Sequence, residues 1–243
     1  MTDGLVDELR SLARRAKMTE KAMSTAESQA AQSQTDPPQT DGTPNTRYEI
    51  NIGSLLAEFY ASTSTLALFE EVEQCPPPFD QLLDHHSHMT VTVEAFHKDE
   101  VDVVVHRSRS VLDDGESVWQ NDPLMKTDAR LAIAERTVTY TREITLVTHN
   151  TGKVVQYGLV RLDPSALGRD VWMEIASGEI PLGRVLIKHN VLRSVERYQL
   201  WKVTPGVALS SLLQTAPGEI VYGRTALIRC NDQPAIELIE IVK

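Results

Sequence analysis

Arg142 stands where the apolar face of a strand should be. In the stretch from Arg136 to Val147, RTVTYTREITLV, the residues Thr137, Thr139, Thr141, Glu143 and Thr145 alternate with Val138, Tyr140, Arg142, Ile144 and Leu146. A strand of period two sends the second set toward a core. A guanidinium keeps its proton in a protein, and a buried charge without a partner is costly. The position therefore calls for a carboxylate partner or an anionic ligand, unless the side chain lies at a sheet edge and snorkels to water. A second charge breaks an apolar register in IELIEIV, where Glu240 shares a face with Ile236, Leu238 and Val242. If Arg142 and Glu240 face one cavity, they either pair or leave room for a ligand with a carboxylate at one end and a group needing a proton at the other.

A third feature is GEIPLGRVLI, where Pro181 fixes the start of a helix and Gly183 carries no side chain. The free N–H groups around Leu182 and Gly183 are then open to close approach by a bound oxygen, although an ordinary capped helix explains the same residues. Weaker candidates complete the inventory. His85, His86 and His88 in DHHSH are clustered, but no carboxylate or cysteine completes a metal-ligand spacing, so they read as surface histidines. Arg161, in register with Val155, Tyr157 and Leu159, is either a second anion contact or a strand end exposed to water. Arg184 reads as solvent-facing or as a local cap.

The elements that must position these residues follow from periodicity. SLLAEFYASTSTLALFEEV, residues 54–72, reads as a helix with Ser54 as N-cap. The prolines of CPPPFDQLL end it, and a short helix starts near Phe79. MTVTVEAF alternates as a strand does, although its neighbours are helical. Six segments then read as strands: EVDVVVHRSRSVL, RTVTYTREITLV, KVVQYGLVRL, VLRSVERYQLWKV, EIVYGRTALIRC and PAIELIEIV. HNTGK and NDQP supply hairpin turns, and SGEIPLGRVLIKHN and VALSSLLQ supply helices. Residues 113–135 read as a long surface loop. The expected class is α+β, an antiparallel sheet of about six strands with helices packed on it.

Composition bounds the function. The 243 residues carry 24 Lys+Arg against 34 Asp+Glu and are 41% hydrophobic, which predicts a soluble globule with an ordinary core. The formal charge of -10 argues against nucleic acid and anionic membranes as partners, whereas a few converging arginines still suit a small anion. Cys75 and Cys230 lie far apart without metal-ligand spacing, and neither a membrane span nor a leader peptide is evident, so a cytoplasmic protein is expected. Residues 1–46 read as a tail, a short amphipathic helix near Leu5 to Ala16 followed by a Ser/Thr/Gln/Pro-rich linker, with the folded domain over 47–243.

IPLGRVLIKHNVLRSVERYQLWKV, YTREITLV and the C-terminal PAIELIEIV together resemble the chorismate lyase (chorismate pyruvate-lyase) family and its wider lyase-like superfamily. The resemblance spans about Phe79 to Lys243, and it departs from the family in having Ile239 before the glutamate and in ending at Lys243. It implies that Arg142 holds a substrate carboxylate and that Glu240 is the acid–base group. Met89, opening a helix, would contact the ligand with Leu182 and Gly183. The implied reaction removes pyruvate from chorismate to give 4-hydroxybenzoate without metal or organic cofactor, so the expected partner is a small aromatic or enolpyruvyl acid. The alternative is a non-catalytic binding or sensor domain of the same fold. Such regulators place a winged helix-turn-helix before the sensor, and the first 46 residues read as too short and too disordered for one.

Overall fold

The computed structural model describes residues 50–120 and 126–243; the expected N-terminal helix and linker lie outside them. From Ile50 onward the order is α1 (Ile52–Leu56), α2 (Thr63–Leu66), β1 (Ala67–Val72), α3 (Phe79–Leu83), α4 (Met89–His97), β2 (Val101–Leu112), β3 (Ser117–Trp119), α5 (Thr127–Ala134), β4 (Thr137–Thr148) and β5 (Val154–Leu162). A 3-10 turn (Pro164–Ala166), α6 (Arg169–Ser177), α7 (Leu182–Lys188), β6 (Arg193–Pro205), α8 (Val207–Leu213), β7 (Val221–Cys230) and β8 (Gln233–Val242) follow. The strands form one 8-stranded sheet in the order β1-β6-β7-β8-β5-β4-β2-β3, every pair antiparallel. This is the expected α+β class, an antiparallel sheet with helices packed on it, with eight strands where about six were expected.

All six anticipated strands are present, and the two added ones come from segments read otherwise. The expected helix over 54–72 breaks after Leu56, and its last third is the strand β1, which pairs with β6 from Ala67↔Pro205 to Val72↔Leu200. The edge of β6 offers that backbone a ladder, and tertiary pairing outweighs helix propensity. The expected loop over 113–135 holds β3 and α5. The latter shows too few turns for a periodic signal, but Trp172 Nε1 of α6 donates to Ala134 O at 2.9 Å and fixes its end. MTVTVEAF is the helix α4, burying Met89, Thr90 and Val93 and closing on left-handed Lys98, φ 55°. Three and four residue spacing toward the core therefore beats the alternation.

Both faces of the sheet are covered. On one, Ile144 and Leu146 of β4 pack with Leu82, Leu83, Met89 and Val93, while Val160, Ala226 and Leu238 pack with Trp172, Ile175 and Leu186. On the other, Tyr157, Leu159, Ile239 and Ile241 meet Leu55, Leu56, Leu209 and Leu213. The central strands are thus apolar on alternate residues to two separate cores, and each fully buried Leu or Ile contributes roughly 1.5–3 kcal/mol. No described helix is long and apolar enough to cross a membrane.

Candidate functional site

The register of four central strands builds the floor of a cavity. Arg142 lies opposite Val160, Ile144 opposite Gly158, Gly158 opposite Glu240, and Glu240 opposite Arg224. Directly opposed residues point to the same side of a sheet, so all of these face the helices α4 and α7. The roof comes from the first turns of those helices, Met89 and Thr90 against Leu182 and Gly183. They press together because Gly183 lacks a side chain: a Cβ there would lie 2.8 Å from Thr90 Oγ1. The space between floor and roof is about 560 Å³, counting its open mouth. Arg142, Glu240, Met89, Leu182 and Gly183 all line this one cavity.

Arg142 is 1% exposed. Its Nη1 donates to Ile175 O at 3.2 Å, in the last turn of α6, and its Nε has no acceptor. No carboxylate pairs with it among the described residues. Burial pushes its pKa down, with Tyr140 opposing, yet a guanidinium does not shed its proton at ordinary pH. A buried positive charge therefore stands at the cavity wall, offset by a helix C-terminus and by Tyr140 and without a carboxylate partner among the described residues.

Glu240 is engaged elsewhere. Arg224 Nε donates to Glu240 Oε2 at 2.8 Å, and the same guanidinium donates from Nη1 to His85 O at 2.8 Å and from Nη2 to Ser87 O at 3.3 Å. Arg224 thus straps the loop between α3 and α4 to the sheet through a buried ion pair. The sequence reading missed it, although the signal was present: Arg224 sits in register with Tyr222, Ala226 and Ile228, as Arg142 does with its own apolar neighbours.

The histidines of that loop are not all surface groups. His86 is exposed, whereas His85 and His88 are half-buried. His88 lines the cavity and accepts from Arg193 Nε. Burial, then the charges of Arg193 and Arg224, push its pKa down to about 4. His85 is lowered by burial and then by Arg224. No group of His, Cys, Asp and Glu among the described residues is placed to hold a metal. Arg161 lies on the opposite face, donating to Glu237 Oε2 at 2.6 Å and reaching Glu58, so it is not a contact in this cavity. Arg184 pairs with Glu94 and ties α7 to α4. Behind the floor, Glu143 accepts from Tyr157 at 2.8 Å, from Arg107 Nε at 2.7 Å and from Tyr60, a closed network whose donors and acceptors are all matched.

No protein-family model matches the chain, and no curated protein matches it. Among solved structures, it is similar to the ligand-binding domain of a GntR-family transcriptional regulator from Bordetella bronchiseptica, described there as putative, at 12% identity over 59% of this chain and 85% of that one, TM-score 0.37. It is similar to PhnF from Mycobacterium smegmatis at 11% identity over 65% of this chain and 64% of that one, TM-score 0.40. A third similarity is to the C-terminal domain of the histidine utilization repressor from Pseudomonas syringae pv. tomato, at 12% identity over 59% of this chain and 91% of that one, TM-score 0.37. The expectation of a chorismate pyruvate-lyase is corrected on this point: these structures are regulators or their domains, not lyases. The carboxylate assigned as the lyase's acid–base group is, moreover, already bound by Arg224.

Proposed function

We propose that the cavity binds a small ring-bearing carboxylic acid without converting it. The observation that carries this is Arg142, a fully buried guanidinium with a free Nε and no carboxylate partner among the described residues, facing a cavity whose described carboxylate, Glu240, is held by Arg224. A ligand carboxylate supplies the missing charge, and in a low-dielectric site such charge-assisted hydrogen bonds are strong. Ile144, Val160, Leu182 and Leu238 offer the apolar walls a ring requires. Met89 and Gly183 close the roof, and Glu240 acts through Arg224 to hold the loop over the site.

Thermal shift and calorimetry with benzoate and with uncharged benzamide test this reading. Benzoate is expected to bind and to be recovered unchanged after prolonged incubation, while benzamide and the Arg142→Met variant give no binding. Equal binding of benzamide, or survival of benzoate binding in Arg142→Met, would overturn the proposal.

A further inference from the structure

We infer that a second recess, beyond Tyr140 from the cavity, binds a phosphate-sized oxyanion in the guanidinium fork of Arg130. The recess lies where β2, α5 and the end of α6 meet, lined by Ser108, Gln120, Arg130, Tyr140 and Gly178 together with valines of β2. Val103 is the one described residue that it shares with the cavity, and no carboxylate among the described residues lines it. Arg130 donates from Nη1 to Ser177 O at 3.3 Å. That leaves the edge formed by Nε and Nη2, the edge that grips an oxyanion through two parallel bonds. Its Nε is shut off from water and has no acceptor among the described residues. Buried donors are nearly always matched, so this one marks the place of a missing acceptor.

Three further donors surround it. Ser108 and Ser110 stand opposite Arg142 and Tyr140, which sets a row of hydroxyls on the same side of β2 as those two residues. Gln120 donates from Nε2 to Ser110 Oγ at 3.1 Å, and a primary amide has a second proton left to give. Tyr140 touches Arg142; a guanidinium only donates, so the phenol accepts from it and keeps its own proton for a ligand. Ser108, Gln120 and Tyr140 are 3%, 8% and 2% exposed, so packing holds them in place before any ion arrives. The ring of His106, also in the lining, is held by Thr145 Oγ1 at 3.0 Å, and burial lowers its pKa. The end of α6 would by itself repel an anion, with about half a negative charge. Its carbonyls at Ile175 and Ser177 are each met by a guanidinium, Arg142 and Arg130. Two full positive charges outweigh that half, so the local field favours an anion although the chain as a whole carries -10.

The experiment titrates inorganic phosphate, and separately glycerol phosphate, into the full chain by calorimetry and thermal shift, against chloride of matched ionic strength. The wild type is expected to bind phosphate and to melt higher in it than in chloride. Arg130→Met should weaken phosphate binding roughly tenfold to a hundredfold, and Arg130→Lys, which keeps the charge but lacks the fork, should fall between. Tyr140→Phe, which keeps the ring against Trp172, should weaken it by roughly threefold to tenfold. Arg142→Met should stay within about threefold of wild type, because its charge is a screened neighbour rather than a contact. Melting in chloride alone checks that each variant folds. Tighter binding of phosphate than of its ester identifies the free ion as the ligand, and the reverse order identifies a phosphomonoester; either supports the site. Absence of binding beyond the chloride control, unchanged affinity in Arg130→Met and Tyr140→Phe, or a loss in Arg142→Met as large as that in Arg130→Met, which would put the ion in the cavity, overturns the inference. Benzoate enters none of these measurements, so failure here and failure of the proposed function are read separately.

Discussion

Replacing Arg142 with methionine separates a ligand-binding charge from a structural one. Methionine is unbranched and uncharged, so it keeps the apolar stem while removing the guanidinium. In the ligand-free protein the side chain holds a buried charge with weak anchors, the 3.2 Å bond to Ile175 O and the contact with Tyr140. Exchanging buried charges for apolar groups stabilises by about 1–4 kcal/mol in known cases. Against this stands the lost interaction with the C-terminus of α6, up to about 2 kcal/mol. Ile175 O is not stranded, because it also accepts from Gly178 N. The balance is a gain of roughly 1 kcal/mol, or about 2–4 °C in melting temperature for a unit of this size. With benzoate at a hundred times its dissociation constant, the wild type should gain about 2.7 kcal/mol, reversing the order of the two proteins. Urea unfolding with and without benzoate reads both numbers. A ligand-free loss of about 3–5 kcal/mol in Arg142→Met, the signature of a broken buried pair, would refute the reasoning, because Arg142 would then already own a partner.

Other expectations follow from the same geometry. Glu240→Gln should destabilise by about 3–5 kcal/mol in urea unfolding, because it leaves Arg224 buried without its anion, and Arg224→Met/Glu240→Leu should recover most of that loss. Gly183→Ala should cost about 1–3 kcal/mol and weaken benzoate binding, since its Cβ forces the starts of α4 and α7 apart. His88 has a folded pKa of about 4 against an ordinary 6.5, so the unfolded chain takes up the proton first. Its contribution to stability is present above about pH 6.5 and is lost as pH falls toward 4, and His88→Gln should flatten the pH–stability curve in that window. Tyr60, pushed up to about 12 by burial and then by Glu143, contributes stability that is present below pH 10 and lost as pH rises through 12. Tyr60→Phe should lessen that alkaline fall while lowering stability at pH 7 by about 1–3 kcal/mol.

Much of the central architecture was legible because β4 and β7 carry long periodic patterns in which an arginine is conspicuous. Register alone placed Arg142 on the apolar side, and the same argument applied to VYGRTALIRC reaches Arg224. What sequence could not supply was the pairing: Glu240 had two arginines available, and only the adjacency of β7 to β8 assigns it to Arg224. The edges were illegible for a different reason. β1 is a strand because β6 offers it a ladder, and α5 is a helix that docks on Trp172; neither cause lies within the segment itself. Gln156, which also lines the cavity with its Oε1 unpartnered among the described residues, was overlooked because a neutral amide between Val155 and Tyr157 breaks no rule of charge or period.

Arg142 and Glu143 are joined by a single peptide bond, yet one serves the hollow and the other gathers Tyr60, Tyr157 and Arg107 on the reverse of the sheet. The sheet is in this sense a party wall, with the furnishings of both rooms bolted to the same course of bricks. A shift of β4 that re-aims the guanidinium must drag the tyrosine cluster with it. Tuning of the cavity by substitution is therefore constrained from behind, by residues that never touch what the cavity holds.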